Sequence, residues 1–248
     1  MQLVKWREDL GTFARLKIPR CYEPVDFGEV NSVELHNFSD ASATGYGQCS
    51  YLKMTNLQGK IRCTLAMAKS IVTPSKPITV PRVELTAALL SVKISSFLKK
   101  ELKFGDIPEV LWTDSEVVRG YVSNDSRRFH TFVVNRVQSI REYSEPNQWR
   151  RVDTKKKPAV EASRGLSAEE LVNSPRWWSG PDFLWKPCDD QTTDKIAKIS
   201  ENDPEVKKIT SFPIRTKSFA SLLDRLRLLR LASGQESCCT LPSPTKKI

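Results

Sequence analysis

Three acidic residues stand out for where they fall in the chain. Asp40 closes an apolar run in "HNFSDASATGYG", Glu84 opens a long helical pattern in "VPRVELTAALL", and Asp114 closes a second apolar run in "LWTDSEVV". Hydrolysing a phosphodiester at neutral pH requires a nucleophilic hydroxide and a means of absorbing charge on the departing oxygen. Two magnesium ions about 4 Å apart supply both. Magnesium takes oxygen ligands, so a protein that uses it must converge several carboxylates. Aspartates at the C-terminal ends of two neighbouring parallel strands, with a glutamate early in a covering helix, can meet at one edge of a sheet. Taken singly, Asp40 reads as a turn residue, Glu84 as a complement to a helix dipole, and Asp114 as part of a capping region. The combination at strand, helix and strand positions favours a metal-binding set of Asp40, Glu84 and Asp114, with Mg2+ as the cation and Mn2+ as its substitute.

The pattern around these residues predicts the elements that must hold them. "SVELHNFSDASATGYGQCSYLKM" reads as strand, glycine-bearing turn and strand, and "KIRCTLAMAKSIV" as a third strand after a turn at Asn56 and Gly59. A long helix follows in "VPRVELTAALLSVKISSFLKKEL", with Pro81 in its first turn and Lys99 and Lys100 in its last. "EVLWTD" is a fourth strand, and Ser115 is placed to cap a helix through "EVVRGYV". "FHTFVVNRVQSIREY" predicts a helix, "QWRRVDT" a fifth strand, and "AVEASRGLSAEELV" one final helix. This order is that of an α/β fold, a mixed sheet with helices on its faces.

Residues 1–30 read as a short amphipathic helix, with Trp6, Leu10 and Phe13 at helical spacing, and a proline-broken connector. The folded domain is expected over 31–185. Residues 186–248 read as a polar linker, an amphipathic helix in "SFASLLDRLRLLRLA" and a disordered tail, "SGQESCCTLPSPTKKI".

A net charge of +10 and a pI near 9.4 point to an anionic partner, with nucleic acid the leading class. The six cysteines show no C-x-x-C spacing, and the two histidines, His36 and His130, are not spaced as zinc ligands. No structural zinc is therefore expected, and reduced thiols place the chain in cytoplasm or nucleus. The N-terminus carries charges throughout, unlike a signal peptide, and no apolar run reaches the length of a membrane span. No Y-x-D-D, D-T/S-G or paired His-Cys pattern supports a polymerase, an aspartic protease or an integrase zinc module. A monomer is expected.

In this order, "FSDASATGYGQCSYL", "VPRVELTAALL", "LWTDSEVV" and "KPAVEASRGL" resemble the ribonuclease H-like domain of Pao/BEL long-terminal-repeat retrotransposon polyproteins. The likeness runs from Trp6 to Trp185. "LKIPRCYEP" resembles the connector after reverse transcriptase, "WWSGPDFLW" the stretch that closes the domain, and "DPEVKK" with 222–231 the lead-in to an integrase; the tail beyond departs from the family, as a truncated copy would. The resemblance implies a five-stranded ribonuclease H-like sheet of order 3-2-1-4-5, its first three strands antiparallel. It implies an endonuclease that cleaves the RNA strand of an RNA–DNA hybrid during reverse transcription. Carried over by motif, Asp40 bridges both metals, while Glu84 and Asp114 complete the site on the leaving-group side. The family's fourth carboxylate lies in an N-P-A-D-x-A-S-R-G pattern and holds the metal that activates water.

Here the chain departs. Val160 stands at the carboxylate position and Lys157 at the asparagine position. Valine ligates no metal. Glu161 is the next residue, but one helical step turns its side chain by about 100°, so its service as a catalytic stand-in requires a local shift. Lys155, Lys156 and Lys157 either contact phosphate or occupy negative field meant for a metal. Arg164, beside the site, is expected as a further nucleic-acid contact, Arg150 in its basic stretch reads either as one or as ordinary charged surface, and Gly45 and Gly47 either admit a nucleic-acid backbone or serve the hairpin. Three readings stay open: a weakened two-metal ribonuclease H, a hybrid-binding module that cannot activate water, and a transposon relic.

Overall fold

The computed structural model of the 248-residue chain describes residues 7, 9–19, 21–102, 106–187, 199–200 and 202–208. Its sheet contains β1 (Val30–Ala41), β2 (Gly45–Asn56), β3 (Ile61–Val72), β4 (Glu109–Thr113) and β5 (Trp149–Arg151), in the spatial order β3-β2-β1-β4-β5. β1, β2 and β3 pair antiparallel, whereas β4 runs parallel to both β1 and β5. The turn between β2 and β3 forms because the Asn56 side-chain oxygen accepts from the amides of Gln58, at 3.1 Å, and Lys60, at 2.7 Å. Gly59 supplies the positive φ of 78° that this turn requires.

Alternation along β1 sends its residues to two layers. Leu35 packs with Leu52, Ile94, Leu98 and Ile107 beneath α1 (Val80–Leu102). Phe38 lies on the opposite face with Cys49, Tyr51, Cys63, Val152, Ala159 and Leu184. A third cluster joins α1 and β4 to α2 (Glu116–Ser123) and α3 (Thr131–Arg141) through Leu85, Leu111, Tyr121, Val133, Ile140 and Trp149. Each such large apolar side chain removed from water contributes about 1.5–3 kcal/mol before entropy is counted. Cys49 and Cys63 are buried free thiols, and Cys21 is an exposed one.

The structure departs from the sequence expectations in the fifth strand and in the final helix. At the N-terminus Arg7 and Asp9 are α-helical, as expected, and the chain runs on as a 3-10 turn, Leu10–Arg15; Trp6 lies outside the described residues. The fifth strand is only three residues long. The single final helix is three: α4 (Ala159–Arg164), α5 (Ala168–Val172) and α6 (Pro175–Ser179). Gly165, at φ 84°, ends α4, and Ser167 with Glu170 forms a capping box that starts α5. The chain divides into compact units 1–207 and 208–248, the first of which includes an extension beyond Trp185. The extension is anchored by Tyr121, which donates to Asp203 at 2.9 Å, by a two-pronged Arg82–Glu205 pair, and by a bridge between Phe129 and Val206. The helix expected near 218–232 and the tail after it lie outside the described residues. Among the described residues, no helix is long and apolar enough to cross a membrane.

Gly45 and Gly47 serve neither a nucleic-acid backbone nor the hairpin turn alone; they receive α4. A Cβ at Gly47 would lie 2.8 Å from both the Ala162 Cβ and the Lys69 carbonyl oxygen, and one at Gly45 would lie 2.8 Å from the Ser163 carbonyl oxygen. Gly47→Ala is therefore expected to destabilise the fold by about 1–3 kcal/mol, the usual scale of overpacking. Urea denaturation of parent and variant checks this; equal stability would mean that α4 does not rest on β2 as described.

Candidate functional site

The parallel pairing sets Phe38 opposite Trp112, and Asp40 and Asp114 each follow two residues later. Both aspartates thereby reach the same end of neighbouring strands. Glu84 arrives from the first turns of α1, whose seat is fixed by polar contacts. Asn37 donates to Ser95 and to Glu109, each at 3.1 Å, and Lys99 pairs with Glu109 at 2.6 Å. Ser115 couples the two sides: its hydroxyl caps α2 by accepting from the Val118 amide at 3.2 Å and donates to Glu84 Oε2 at 2.7 Å. The sequence-derived set of Asp40, Glu84 and Asp114 is thus brought to one edge of the sheet.

What sits between the aspartates is Lys157. After β5 the chain winds through a 3-10 turn, Thr154–Lys156, capped by the Asp153 side chain on the Lys155 amide at 3.0 Å. This turn leaves Lys155 and Lys156 exposed and drives Lys157 inward, where it is fully buried. Its ammonium lies 2.5 Å from Asp40 Oδ1 and also pairs with Asp114 Oδ1. The remaining oxygens are engaged too. Ser163 of α4 donates to Asp40 Oδ2, and Thr154 donates to Asp114 Oδ2 at 2.6 Å. Ser42, just past Asp40, donates to the Ser163 carbonyl at 2.9 Å and ties the end of α4 to the same corner.

These contacts bear on two sequence expectations. Lys157 presents no charge to a phosphate, because its ammonium is spent on the two aspartates. Glu161 is not placed as a free stand-in for the carboxylate that the resemblance implies at position 160. Its Oε1 pairs with Arg176 of α6, its Oε2 is buried without a hydrogen-bond partner, and its side chain is 8 % exposed. Arg176 also donates to the Lys155 carbonyl at 2.7 Å, which locks α6 onto the turn before α4. Lys155, Lys156 and Arg164 are exposed, and Arg150 is half-buried in β5.

A divalent ion needs carboxylate lone pairs facing a common point. With all four oxygens of Asp40 and Asp114 engaged by the chain's own donors, the residues as arranged do not fit one. Among the described residues, no group of three or more His, Cys, Asp or Glu side chains could hold a metal ion. Sequence reasoning missed Ser163, Thr154 and Arg176. Only Arg176 had a local signal, since Ser174 and Pro175 mark a helix start around it. Nothing local pairs residue 40 with 163 or 114 with 154.

Residues 1–115 match the family described as Pao retrotransposon-like RNaseH-like domain, a stretch that holds Asp40, Glu84 and Asp114. The resemblance read from the motifs is borne out over those residues. Among solved structures the chain is similar to RNase H1 from the halophilic archaeon Halobacterium salinarum NRC-1, at 13% identity and a TM-score of 0.34, over 57% of this chain and 98% of that one. It is similar to LC11-RNase H1 in complex with an RNA/DNA hybrid, at 14% identity and a TM-score of 0.36, over 56% and 99%. A further likeness is to the Prototype Foamy Virus protease-reverse transcriptase, at 14% identity and a TM-score of 0.26, over 68% and 22%. No curated protein matches the sequence. The sheet order 3-2-1-4-5 with flanking helices is the ribonuclease H-like arrangement the motifs implied.

Glu84 and Asp114 are shifted in opposite directions from their ordinary values. Burial pushes Glu84 up from 4.5, with the charges of Asp114 and Asp40 adding to it against Ser115 and Lys157. Burial also works to raise Asp114, but Lys157 and Thr154 outweigh it and hold that carboxyl below 3.8. The stabilisation from Asp114 is complete above 3.8 and lost as pH falls through its folded value, whereas that from Glu84 is complete below 4.5 and lost as pH rises through its folded value. A carbon-detected NMR titration is expected to find Asp114 below 3.8 and Glu84 above 4.5. Coincident midpoints would contradict the pairing described.

Proposed function

We propose that this ribonuclease H-like domain of the Pao retrotransposon type engages RNA–DNA hybrids, and that its magnesium-dependent hydrolysis of the RNA strand is impaired. The observation that carries the reading is the state of the fourth carboxylate position. By the motif resemblance that position falls at Val160, and the neighbouring Glu161 is held by Arg176. Support for nucleic acid as partner comes from the net charge of +10 and from the exposed Lys155, Lys156 and Arg164 beside the carboxylates. Small cationic contributions of this kind bind phosphates without demanding the metal geometry that cleavage requires. The reading without any cleavage, a binding module alone, draws support from Lys157, which neutralises the aspartates that would hold the ions.

Fluorescence anisotropy with an RNA–DNA hybrid should show affinity that falls steadily with rising salt, as counterion release requires; salt-independent binding would sink the hybrid reading. Cleavage of a labelled hybrid in Mg2+ and in Mn2+ should be near background for the parent. Val160→Asp combined with Lys157→Asn should raise it by on the order of a hundredfold, the scale on which a water-activating group counts. Adding Asp40→Asn should abolish that gain. Vigorous, Asp40-dependent cleavage by the parent would overturn the impairment.

A further inference from the structure

We infer that Lys157 is a built-in cation that fills the place of a divalent metal between Asp40 and Asp114, so that the carboxylate corner is closed and self-neutralised in the free protein. This rests on reading the corner as the ribonuclease H-like site, and it adds a cause of impairment separate from Val160. Three observations carry it. The ammonium is fully buried, and a buried ammonium persists only when paired and hydrogen-bonded. It is shared between the two aspartates that end neighbouring parallel strands. The oxygens it leaves are taken by Ser163 and Thr154, so the corner offers an incoming ion no free aspartate oxygen.

Lys157 is also held from behind. Its amide donates to the Thr154 carbonyl at 3.3 Å, the Lys156 amide donates to the Asp153 carbonyl at 2.9 Å, and Pro158 follows directly. Swinging the ammonium out therefore means unwinding the turn and exposing two uncompensated aspartates. A divalent ion that entered without displacing it would face a like charge within a few ångströms. Replacing the lysine, by contrast, removes the competing charge and restores the negative field that attracts a metal, at the cost of the pairing that holds the two aspartates.

The test uses the full chain without nucleic acid. Mn2+ binding is read by electron paramagnetic resonance for the parent, for Lys157→Asn and for Lys157→Asn with Asp40→Asn. The single variant is expected to bind Mn2+ at least about tenfold more tightly than the parent, since one opposing charge has been removed. The added Asp40→Asn should cancel the gain. Asp40-dependent binding by the parent as tight as that of the variant would overturn the inference. A second measurement needs no variant to fold: reductive methylation of the parent, followed by mass spectrometry. Lys157 should react far more slowly than the adjacent Lys155 and Lys156, and millimolar Mn2+ should not accelerate it. Equal labelling of the three lysines, or exposure of Lys157 on adding Mn2+, would overturn the inference. Neither readout involves a hybrid, so loss of hybrid binding or cleavage would count against the proposed function alone.

Discussion

Two aspartates at the ends of adjacent parallel strands repel one another, and the lysine ammonium set between them holds that corner of the molecule together. Asp40 ends β1 and Asp114 follows β4, while Lys157 arrives from a turn more than forty residues later. Coulomb attraction is strong at such a site because little water screens it, yet each charge has paid desolvation to be there. A pair of this kind adds little over an apolar replacement, but losing one partner costs about 3–5 kcal/mol because the other is stranded. The seat of α4 depends on the same corner. Ser163 reaches Asp40, Ser42 reaches the Ser163 carbonyl, and Gly45 and Gly47 let the helix backbone approach β2.

A second polar network lies on the opposite face of the sheet. Ser50 donates to Asn37, Asn37 donates to Ser95 and Glu109, and Lys99 completes the charge balance of Glu109. Apolar packing alone would let α1 slide along β1, whereas these bonds are satisfied in one register. The N-terminal end of α1 is pinned separately by Arg82 on Glu205. Glu84 sits close to that pinned end. Its position relative to the two aspartates is therefore set by structure at both ends of one helix together with the Ser115 hydroxyl beside Asp114.

The basic character of the chain is partly internal. Arg136 stacks on Phe132 at 3.5 Å from the ring centroid, and Arg141 donates to the carbonyls of Val122 and Asn124. Arg151 pairs with Glu116 at 3.2 Å, and Arg176 with Glu161. Such arginines hold elements together and have less charge to offer a phosphate than a count suggests. The exposed Lys155, Lys156 and Arg164 differ because they flank the carboxylates from the outside.

Local pattern was enough to determine much of this protein. Strand alternation, the long apolar stripe of α1, the cap at Ser115 and the turn at Asn56 and Gly59 follow from short-range physics that operates within a few residues. The placement of Asp40, Glu84 and Asp114 at element ends follows from the same information. The split of the final helix was present in the sequence as Gly165 and the Ser167–Glu170 capping box, two short signals outweighed by a longer apolar pattern. What only the tertiary structure decided is which partner each charge takes. Lys155, Lys156 and Lys157 are identical in composition, and a turn of three residues makes two of them solvent-facing and the third the counter-ion of the site. Glu161 beside Val160 is engaged by an arginine fifteen positions on. Electrostatic pairing acts across space with no regard to sequence separation, so it becomes readable only once the sheet has brought the strand ends together.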